Sequence, residues 1–327
     1  MKICIVGAGW IGCHLAYKLN KYHDVKIFDS EGIFSGSSFK NQNRLHLGFH
    51  YARSHLTREL CLNTFDKFLN DYKSVVTNIK KNIYSIPTYE SIIDFQTYLS
   101  IFNKENFSYK IVNVPELNGI DGSISVKEKY IDPLKSKVFF EKKLKNNIEH
   151  CHITEKKLDL LKKENDLVIN CTNNVLNPVG NNYFYELCLI LKYKKTKKTS
   201  FDALTLVDGE LFSIYPFNKN FYTLSNVKYT PVKKFENYNE LLIFKNNFTL
   251  NKSHIESFEN DVFYFYKDFK KSFKFEDYII SIKTKNKNAT SNRNPVILKE
   301  DNLVSCYTGK IQGIYYIEKY ITDILNE

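Results

Sequence analysis

Three glycines near the beginning of the sequence have the spacing of a phosphate-binding loop. Gly7, Gly9 and Gly12 stand in the run GAGWIG. The first permits a tight turn, the second lets a pyrophosphate approach the backbone, and the third lets a helix pack closely on a strand. Asp29 follows about 20 residues later, where a carboxylate accepts hydrogen bonds from ribose hydroxyls and repels a 2′-phosphate. The pattern predicts a dinucleotide site that disfavours NADP.

A second group of polar residues could move protons. Residues 44–51 read RLHLGFHY. Alternate side chains of an extended segment share one side. Here these are Arg44, His46, Gly48 and His50. A histidine titrates near neutral pH and can accept the proton of an alcohol while hydride leaves its carbon, whereas a neutral amine needs no such base. The alternative is that both histidines only form structural hydrogen bonds.

The elements that must position the glycine loop are readable on both sides of it. Lys2–Val6 is an apolar run typical of a buried parallel strand. Trp10–Asn20 has apolar residues at helical spacing, and Asp24–Phe28 is a second apolar run. We therefore predict a strand, a helix and a strand, which is the context that dinucleotide-binding glycines require. The loop alone favours FAD and NAD equally.

Several later segments resemble one family of flavoproteins. The run His46-x-Gly48-x-x-Tyr51 and the segments Tyr130–Leu134, Asp166–Asn173 and Leu303–Gly313 are similar to the D-amino-acid-oxidase-like superfamily of FAD-dependent oxidoreductases. This superfamily includes glycine oxidase, sarcosine oxidase and the L-2-hydroxyglutarate dehydrogenases. The resemblance implies an FAD cofactor and an oxidase or dehydrogenase activity. Asn173 stands where the family usually has glycine.

The resemblance also implies which residues hold FAD. They come from the glycine loop, from the end of the second strand, from the polar segment that follows, and from two later turns. The implied set is Gly7, Gly9, Trp10, Ile11, Gly12, Asp29, Ser30, Ser37, Ser38, Asn43, Arg44, Leu45, Thr172, Asn173, Gly309, Lys310 and Ile311.

Lys310 carries a further expectation. It follows Gly309 at the predicted beginning of a helix, Ile314–Leu325. A cation at a helix amino terminus would stabilise negative charge on a reduced flavin, so we count Lys310 with His46 and His50 as catalytic. The alternative is an ordinary turn with an exposed lysine.

A carboxylate or phosphate on the substrate would need a cation. Arginine offers a planar fork, and the chain has four arginines, of which Arg293 and Arg53 are candidates for the substrate site. The alternative for Arg293 is a surface salt bridge, and Lys283 or Lys285 could replace it. Tyr215 and Lys228 are further candidates for the pocket, against core packing and solvent exposure respectively.

These segments predict two interleaved lobes in 327 residues, α/β plus α+β. A Rossmann-type FAD-binding lobe would comprise residues 1–60, 115–175 and 290–327. A mixed-sheet substrate lobe would comprise residues 61–114 and 176–289. Within it, 63–109 looks largely helical, 200–228 has strand-like runs, and the lysine- and asparagine-rich stretches 192–199 and 233–252 look like solvated loops and helix faces.

Composition narrows the function classes. The net charge of +11 is spread along a chain with 36 acidic residues, so we expect no nucleic-acid partner. No apolar run is long enough to span a membrane, and the first residues lack a cleavage site, so we expect a cytoplasmic protein. Seven scattered cysteines without a C-x-x-C pair predict reduced thiols and no metal site.

The sequence thus predicts an FAD-dependent oxidoreductase that oxidises a CH–OH or CH–NH bond of a small polar, anionic substrate by hydride transfer to flavin N5. The electron acceptor stays open. One alternative is a flavin-dependent sugar-nucleotide isomerase of the mutase type. Another is a dinucleotide-binding protein without catalysis, which the low count of 12 glycines keeps open.

Overall fold

A computed structural model describes residues 1–176, 182–287 and 293–327. The strands are β1 (Lys2–Val6), β2 (Asp24–Asp29), β3 (Arg44–Leu45), β4 (Val76–Asn78), β5 (Asn82–Pro87), β6 (Lys110–Ile111), β7 (Ile120–Val126), β8 (Lys129–Ile131), β9 (Ile148–His150), β10 (Leu167–Asn170), β11 (Tyr183–Lys195), β12 (Ala203–Leu206), β13 (Phe212–Pro216), β14 (Phe221–Asn226), β15 (Pro231–Phe235), β16 (Phe273–Asn286), β17 (Val296–Glu300) and β18 (Leu303–Tyr307).

The helices are α1 (Trp10–Leu19), α2 (His55–Tyr72), α3 (Phe95–Lys104), α4 (Pro133–Lys143), α5 (Glu155–Glu164), α6 (Tyr238–Asn247), α7 (Lys252–Phe265), α8 (Phe269–Ser272) and α9 (Ile314–Asn326), and a 3-10 turn spans Ile311–Gly313. In the part of the chain that the structure describes, no helix has both the length and the apolar character needed to cross a bilayer.

The first sheet has the strand order β17-β18-β10-β1-β2-β9. β1 lies between β2 and β10 and is parallel to both, because its four buried residues need a covered position in the sheet interior. β18 continues the parallel order beside β10, and β17 adds an antiparallel edge. The predicted strand, helix and strand around the glycine loop are confirmed.

Helices cover this first sheet with an aromatic core. Trp10 packs edge-on against Phe34, Tyr72 and Phe140, with ring centroids 5.1 to 5.3 Å apart. Such edge-to-face pairs stabilise a core beyond the area they bury. α4 begins at Pro133, where the Asp132 carboxylate accepts the N–H groups of the first turn. We call this sheet and its helices the cofactor lobe.

The second sheet has the order β15-β11-β14-β13-β12-β5-β7-β6, with β16 paired to β11. One face is apolar and packs on α7, where Phe258, Val262 and Phe265 share a core with leucines of β11 and β12. The other face is polar at its centre, because Thr205 lies opposite Ser213 and Thr223 lies opposite Tyr215. We call this sheet with α7 the substrate lobe. Its polar face is turned towards residues 42–44, as shown below.

The predicted α/β plus α+β architecture with interleaved lobes is confirmed, with local differences. Residues 63–109 are not largely helical, because the wholly buried strand β5 interrupts them. The stretch 192–199 lies partly in β11, and 233–252 contains the end of β15 and α6.

Membership of the lobes differs from the predicted boundaries at two places. The α2 residues Phe65, Phe68 and Tyr72 belong to the cofactor-lobe core, and β7 pairs with β5 in the second sheet. We therefore propose that residues 61–72 belong to the cofactor lobe and 115–126 to the substrate lobe.

Gly12 supplies a test of the packing between helix and strand. An added Cβ there would lie 1.9 Å from the carbonyl oxygen of Gly7, whereas one at Gly36 would meet no atom within 4 Å. Overpacking of this kind costs about 1–3 kcal/mol or more. We expect Gly12→Ala to lower the midpoint of thermal unfolding by several degrees and Gly36→Ala to leave it unchanged. Equal midpoints for the two variants would contradict this packing.

Candidate functional site

The glycine loop is held open by backbone contacts. Gly7 has φ +103°, and a Cβ there would lie 2.7 Å from the Cys171 carbonyl oxygen. A Cβ at Gly9 would lie 2.9 Å from the Ser38 hydroxyl oxygen. That hydroxyl also accepts the Trp10 N–H at 2.9 Å. The loop therefore has no room for side chains at Gly7 and Gly9, next to the amino terminus of α1. A pyrophosphate needs this arrangement to approach the backbone.

Asp29 lies at the end of β2, beside this loop. One carboxylate oxygen accepts the Ala8 N–H at 2.8 Å, and the other accepts the N–H groups of Glu31 and Gly32. The carboxylate is thus fixed next to the loop, where ribose hydroxyls would be bound. The residues present fit the dinucleotide part of FAD. The side chains of Trp10 and Leu45 lie in the core, so these two have only backbone groups to offer near the loop, whereas Ser30 is exposed.

The polar segment after Ser35 runs across the polar face of the substrate lobe. The Ser37 hydroxyl donates to the Ile282 carbonyl at 2.5 Å, and the Gln42 amide lies 3.2 Å from the Thr223 hydroxyl. Asn43 has φ +49°, a left-handed conformation that asparagine tolerates, and its amide donates to the Asn41 carbonyl at 3.0 Å. These contacts join the two lobes along one line.

Arg44 lies at the centre of that line. Its guanidinium donates to the Thr205 hydroxyl at 2.9 Å and to the Gln42 amide oxygen at 2.7 Å. The guanidinium carbon lies 4.2 Å from the centre of the Tyr215 ring, a cation–π contact. Among the described residues, no carboxylate forms an ion pair with Arg44. The arginine is a buried, uncompensated cation in contact with the Tyr215 ring.

Lys310 brings a second cation to the same place. Its ammonium group lies 4.6 Å from the centre of the Tyr51 ring and forms no ion pair with a described residue. Burial, together with the nearby charge of Arg44, lowers the pKa of Lys310 to about 7. The Lys310 side chain is partly buried, and its ammonium group lies against the Tyr51 ring.

The two histidines come together through a turn. His46 and His50 are stacked with ring centroids 5.8 Å apart, and the Tyr51 ring contacts both. The sequence predicts an extended segment, but the chain turns after Leu45. It turns because Gly48 has φ +125° and packs against Arg58 of α2. The missing side chain at Gly48 therefore lets the turn pack closely on α2.

Both histidines are neutral at pH 7. Burial, together with the charge of Lys310, lowers the pKa of His46 to about 4. Burial also lowers the pKa of His50 well below its usual value. The Nδ1 atoms of both rings are buried without a hydrogen-bond partner among the described residues. For His46 the polar group that Nδ1 faces is Oε2 of Glu128, at 3.5 Å.

Glu128 was not anticipated from the sequence, where it stands between two lysines. It is 1% exposed and lies between β7 and β8. Its carboxylate accepts the N–H of Leu47 at 2.7 Å and the Tyr84 hydroxyl at 2.6 Å. Burial alone would raise the pKa of Glu128, but His46 and these hydrogen bonds hold the pKa below its usual value. A charged carboxylate therefore lies under the histidine turn.

Two more buried side chains hold the same turn and were also missed. Gln312 accepts the N–H of His46 at 3.2 Å and donates to its carbonyl at 2.9 Å. Arg58 donates to the carbonyls of Tyr51 and Ala52 at 2.9 and 2.6 Å. The only available signal was the resemblance, which extended over the 3-10 turn without assigning these roles.

The structure places the four substrate candidates in different surroundings. Arg293 is partly buried, and its Cδ would lie 3.0 Å from a Cβ placed on Gly309, next to Lys310. Burial lowers the pKa of Arg293, and among the described residues it has no ion-pair partner. It lines a cavity of about 110 Å³ with Tyr307 and Gly309.

Of the other three candidates, only Tyr215 lies beside the cations. Tyr215 is buried under Arg44, as described. Arg53 is half exposed and paired with Asp208, and Lys228 lies in an exposed turn beside Tyr229. Lys285 is engaged by the buried Glu186 at 2.5 Å. Arg44, Lys310 and Arg293 all act on His50, and we call the space between these three cations and the two histidines the cationic crevice. The structure therefore brings Tyr215 and Arg293, but neither Arg53 nor Lys228, to it.

The turn after β10 accommodates its unusual asparagine. Asn173 has φ +59°, the left-handed region in which asparagine can replace glycine. Its carbonyl accepts the Thr284 hydroxyl at 2.6 Å, and the Thr172 hydroxyl donates to Asn170 at 2.7 Å. Ile311 begins the 3-10 turn that carries Gln312. The backbone conformation expected of the glycine is kept.

Three comparisons with known proteins bear on the fold and the cofactor. Residues 2–76 match the family model described as DAO, FAD dependent oxidoreductase. The chain is 27% identical to the FAD-dependent monooxygenase FPY4 of Fusarium mangiferae, over 99% of this chain and 90% of that protein. It is 25% identical to the FAD-dependent monooxygenase kojA of Aspergillus flavus, over 100% of this chain and 86% of that protein. The fold matches glycine oxidase from Geobacillus kaustophilus with a TM-score of 0.75, 10% identity, and coverage of 99% and 94%.

The lowered pKa of Lys310 makes the stability of the flavin-free protein depend on pH. The unfolded chain binds this proton up to about pH 10.4, whereas the folded chain loses it near pH 7. Between these values the unfolded state holds more protons, so the free energy of unfolding rises with pH. We expect Lys310→Met to flatten that rise in urea unfolding at pH 7, 8 and 9.

The exposed Lys252 offers the matched control, because Lys252→Met removes a lysine whose side chain is 87% exposed. This variant is expected to keep the wild-type slope. A wild-type slope in Lys310→Met would show that the Lys310 ammonium group is not enclosed in solution.

Proposed function

Because this chain belongs to the D-amino-acid-oxidase-like superfamily of FAD-dependent oxidoreductases, we propose that it oxidises a CH–OH or CH–NH bond of a small anionic molecule by hydride transfer to flavin N5. FAD is its cofactor and it is an enzyme. The observation that carries the proposal is the neutral pair His46 and His50 beside the buried cation Arg44 and the partly buried Lys310. The isomerase and non-catalytic alternatives gain no support from the matches.

The residues that would hold FAD divide into two groups. The glycine loop and Asp29 would bind the pyrophosphate and the ribose, and the turn from Gly309 to Ile311 would lie at the flavin. Bound FAD supplies a two-electron acceptor at its N5 atom. Lys310, at the beginning of the 3-10 turn, would stabilise the negative charge that the flavin gains on reduction, because its side chain is partly buried and no described residue forms an ion pair with it.

An anionic substrate would complete the charge balance of the crevice. Arg293 lies against Gly309 without an ion-pair partner among the described residues, and its fork suits a carboxylate or phosphate. Burying an unpaired cation costs free energy, which an incoming anion would recover. The cavity of about 110 Å³ beside it has room for such a group.

His46 favours an alcohol over an amine within this proposal. An alcohol must lose a proton as well as a hydride, and a neutral imidazole can accept that proton. Among the described residues, Nε2 of His46 forms no hydrogen bond, so its lone pair is available in the crevice. A neutral amine would need no base, and the enclosed histidine would then have no proton to take.

The first experiment is a spectrum followed by a substrate panel. The purified protein should show the visible bands of oxidised flavin, which should bleach anaerobically with 2-hydroxy acids more readily than with amino acids of matched side chain. A colourless protein that does not take up added FAD would refute the cofactor. A flavoprotein that no hydroxy acid or amino acid bleaches would refute the proposed substrate class.

Both fungal relatives are called FAD-dependent monooxygenases, so oxygen should be followed in the same assay. We propose molecular oxygen as the first acceptor to test. Reaction under ¹⁸O₂ with mass spectrometry of the product distinguishes two outcomes: an oxidase or dehydrogenase leaves the label out of the organic product, and a monooxygenase incorporates it.

Arg293→Ala should raise KM by roughly 10- to 100-fold with little change in bound flavin, because a charge-assisted hydrogen bond contributes about 1.5–3 kcal/mol. Arg53→Ala is the matched control, since it removes a surface arginine paired with Asp208. Steady-state kinetics and the flavin content of both variants would be measured. Equal KM values for Arg293→Ala and wild type would remove Arg293 from the substrate site.

A further inference from the structure

The buried Glu128 has two carboxylate oxygens with different partners. Oε1 accepts the N–H groups of Leu47 and Gly48 at 2.7 and 3.1 Å. Oε2 accepts the Tyr84 hydroxyl at 2.6 Å and lies 3.5 Å from Nδ1 of His46. No lysine or arginine among the described residues pairs with this carboxylate. Its charge is therefore compensated only by hydrogen bonds and by the histidine.

The charges around His46 select one tautomer of its ring. Glu128 is the only anion among the groups that act on the imidazole, and Lys310 and Arg44 are the cations. An anion facing Nδ1 favours a proton on that nitrogen. Nε2 then keeps its lone pair, and among the described residues it has no hydrogen-bond partner. The separation of 3.5 Å is long for a hydrogen bond, but such catalytic contacts are often long before substrate is bound.

The backbone contacts reinforce this arrangement. Gln312 holds both the N–H and the carbonyl of His46, and Oε1 of Glu128 holds the next two N–H groups. The ring can rotate about its side-chain bonds, but its backbone cannot shift away from the carboxylate. The inner face of the substrate lobe supplies Tyr84, which fixes Oε2 on the side of the ring.

We propose that Glu128 is a positioning residue that holds His46 with its proton on Nδ1 and so presents Nε2 as the proton acceptor for the substrate hydroxyl. The proton-accepting step rests on the function proposed above, whereas the tautomer does not. In that step the O–H bond of the substrate breaks, an N–H bond forms at Nε2, and the carbon gives its hydride to the flavin. The substrate becomes a carbonyl compound, and the imidazolium is stabilised by Glu128 until its proton leaves to water.

The competing explanation is that Glu128 only anchors the turn to Tyr84. Both explanations predict a loss of stability on substitution, so stability cannot decide between them. The tautomer of His46 can. Glu128→Gln keeps the size and offers an amide N–H where the carboxylate stood, which should leave Nδ1 as the acceptor and move the proton to Nε2. Tyr84→Phe removes the same anchor but keeps the charge, so the Nδ1 proton should remain.

The test uses the flavoprotein as purified, labelled with ¹⁵N-histidine. Long-range ¹H–¹⁵N correlation spectra report which ring nitrogen carries the proton, and His46→Gln assigns the signal. We expect the Nδ1–H form in wild type and in Tyr84→Phe, and the Nε2–H form in Glu128→Gln. An Nε2–H form in the wild-type protein would overturn the proposal without any variant and without a known substrate.

Kinetics give the second readout once the panel has identified a substrate. Removing the residue that orients a functional histidine lowers activity by about 10- to 100-fold. We expect Glu128→Gln to lower kcat by that factor with KM within threefold of wild type. Glu259→Gln is the matched control, because Glu259 is also a buried carboxylate that accepts a tyrosine hydroxyl, from Tyr193 at 3.0 Å.

The NMR and kinetic experiments together distinguish the positioning role of Glu128 from the proposed function. If no hydroxy acid is turned over but wild-type His46 carries its proton on Nδ1, the proposed function fails and the positioning by Glu128 stands. If hydroxy acids are turned over and Glu128→Gln lowers kcat no more than Glu259→Gln, the positioning role fails and the function stands.

Discussion

Burying several like charges in one place costs free energy unless an opposite charge joins them, and this constraint shapes the crevice between the lobes. Arg44, Lys310 and Arg293 all face it without an ion-pair partner among the described residues. The repulsion is reduced because the pKa of Lys310 falls to about 7 and both histidines stay neutral. An anionic occupant would relieve the remaining repulsion. The crevice is therefore preorganised for electron-rich groups, a property that suits both a reduced flavin and an acidic substrate.

Much of the cofactor lobe could be predicted because its signals are local. β1, the glycine loop and α1 form one uninterrupted run in which apolar spacing and glycines agree. β5 could not be recognised in the same way. Its six residues are all buried, and a short buried run carries no periodicity that separates a strand from part of a helix. The pairing of β5 with β7 and β12 decides its conformation, and that information lies far away in the chain.

The site residues show the same contrast between local signals and information that lies far away in the chain. Arg44, His46, His50 and Lys310 could be named because their residue types stand out in short motifs. Glu128 and Gln312 could not, because each acts on the histidine turn from a distance of 81 and 266 residues along the chain. Charge alone also does not reveal which way a side chain points. Arg53 and Arg293 look alike in the sequence, yet one pairs with Asp208 at the surface and the other packs against Gly309.

The interleaved strand order also determines when the protein can fold during its synthesis. β18 pairs with β10, and α9 packs against α1, so the cofactor lobe closes only after the ribosome has made residues 303–326. By then the long β11–β16 pairing has already emerged, and it joins residues as far apart as 183 and 286. Non-local pairing of this kind is slow and leaves strand edges open meanwhile. The nascent chain therefore carries an unfinished parallel sheet through most of translation, and chaperone binding during that interval would favour the correct assembly.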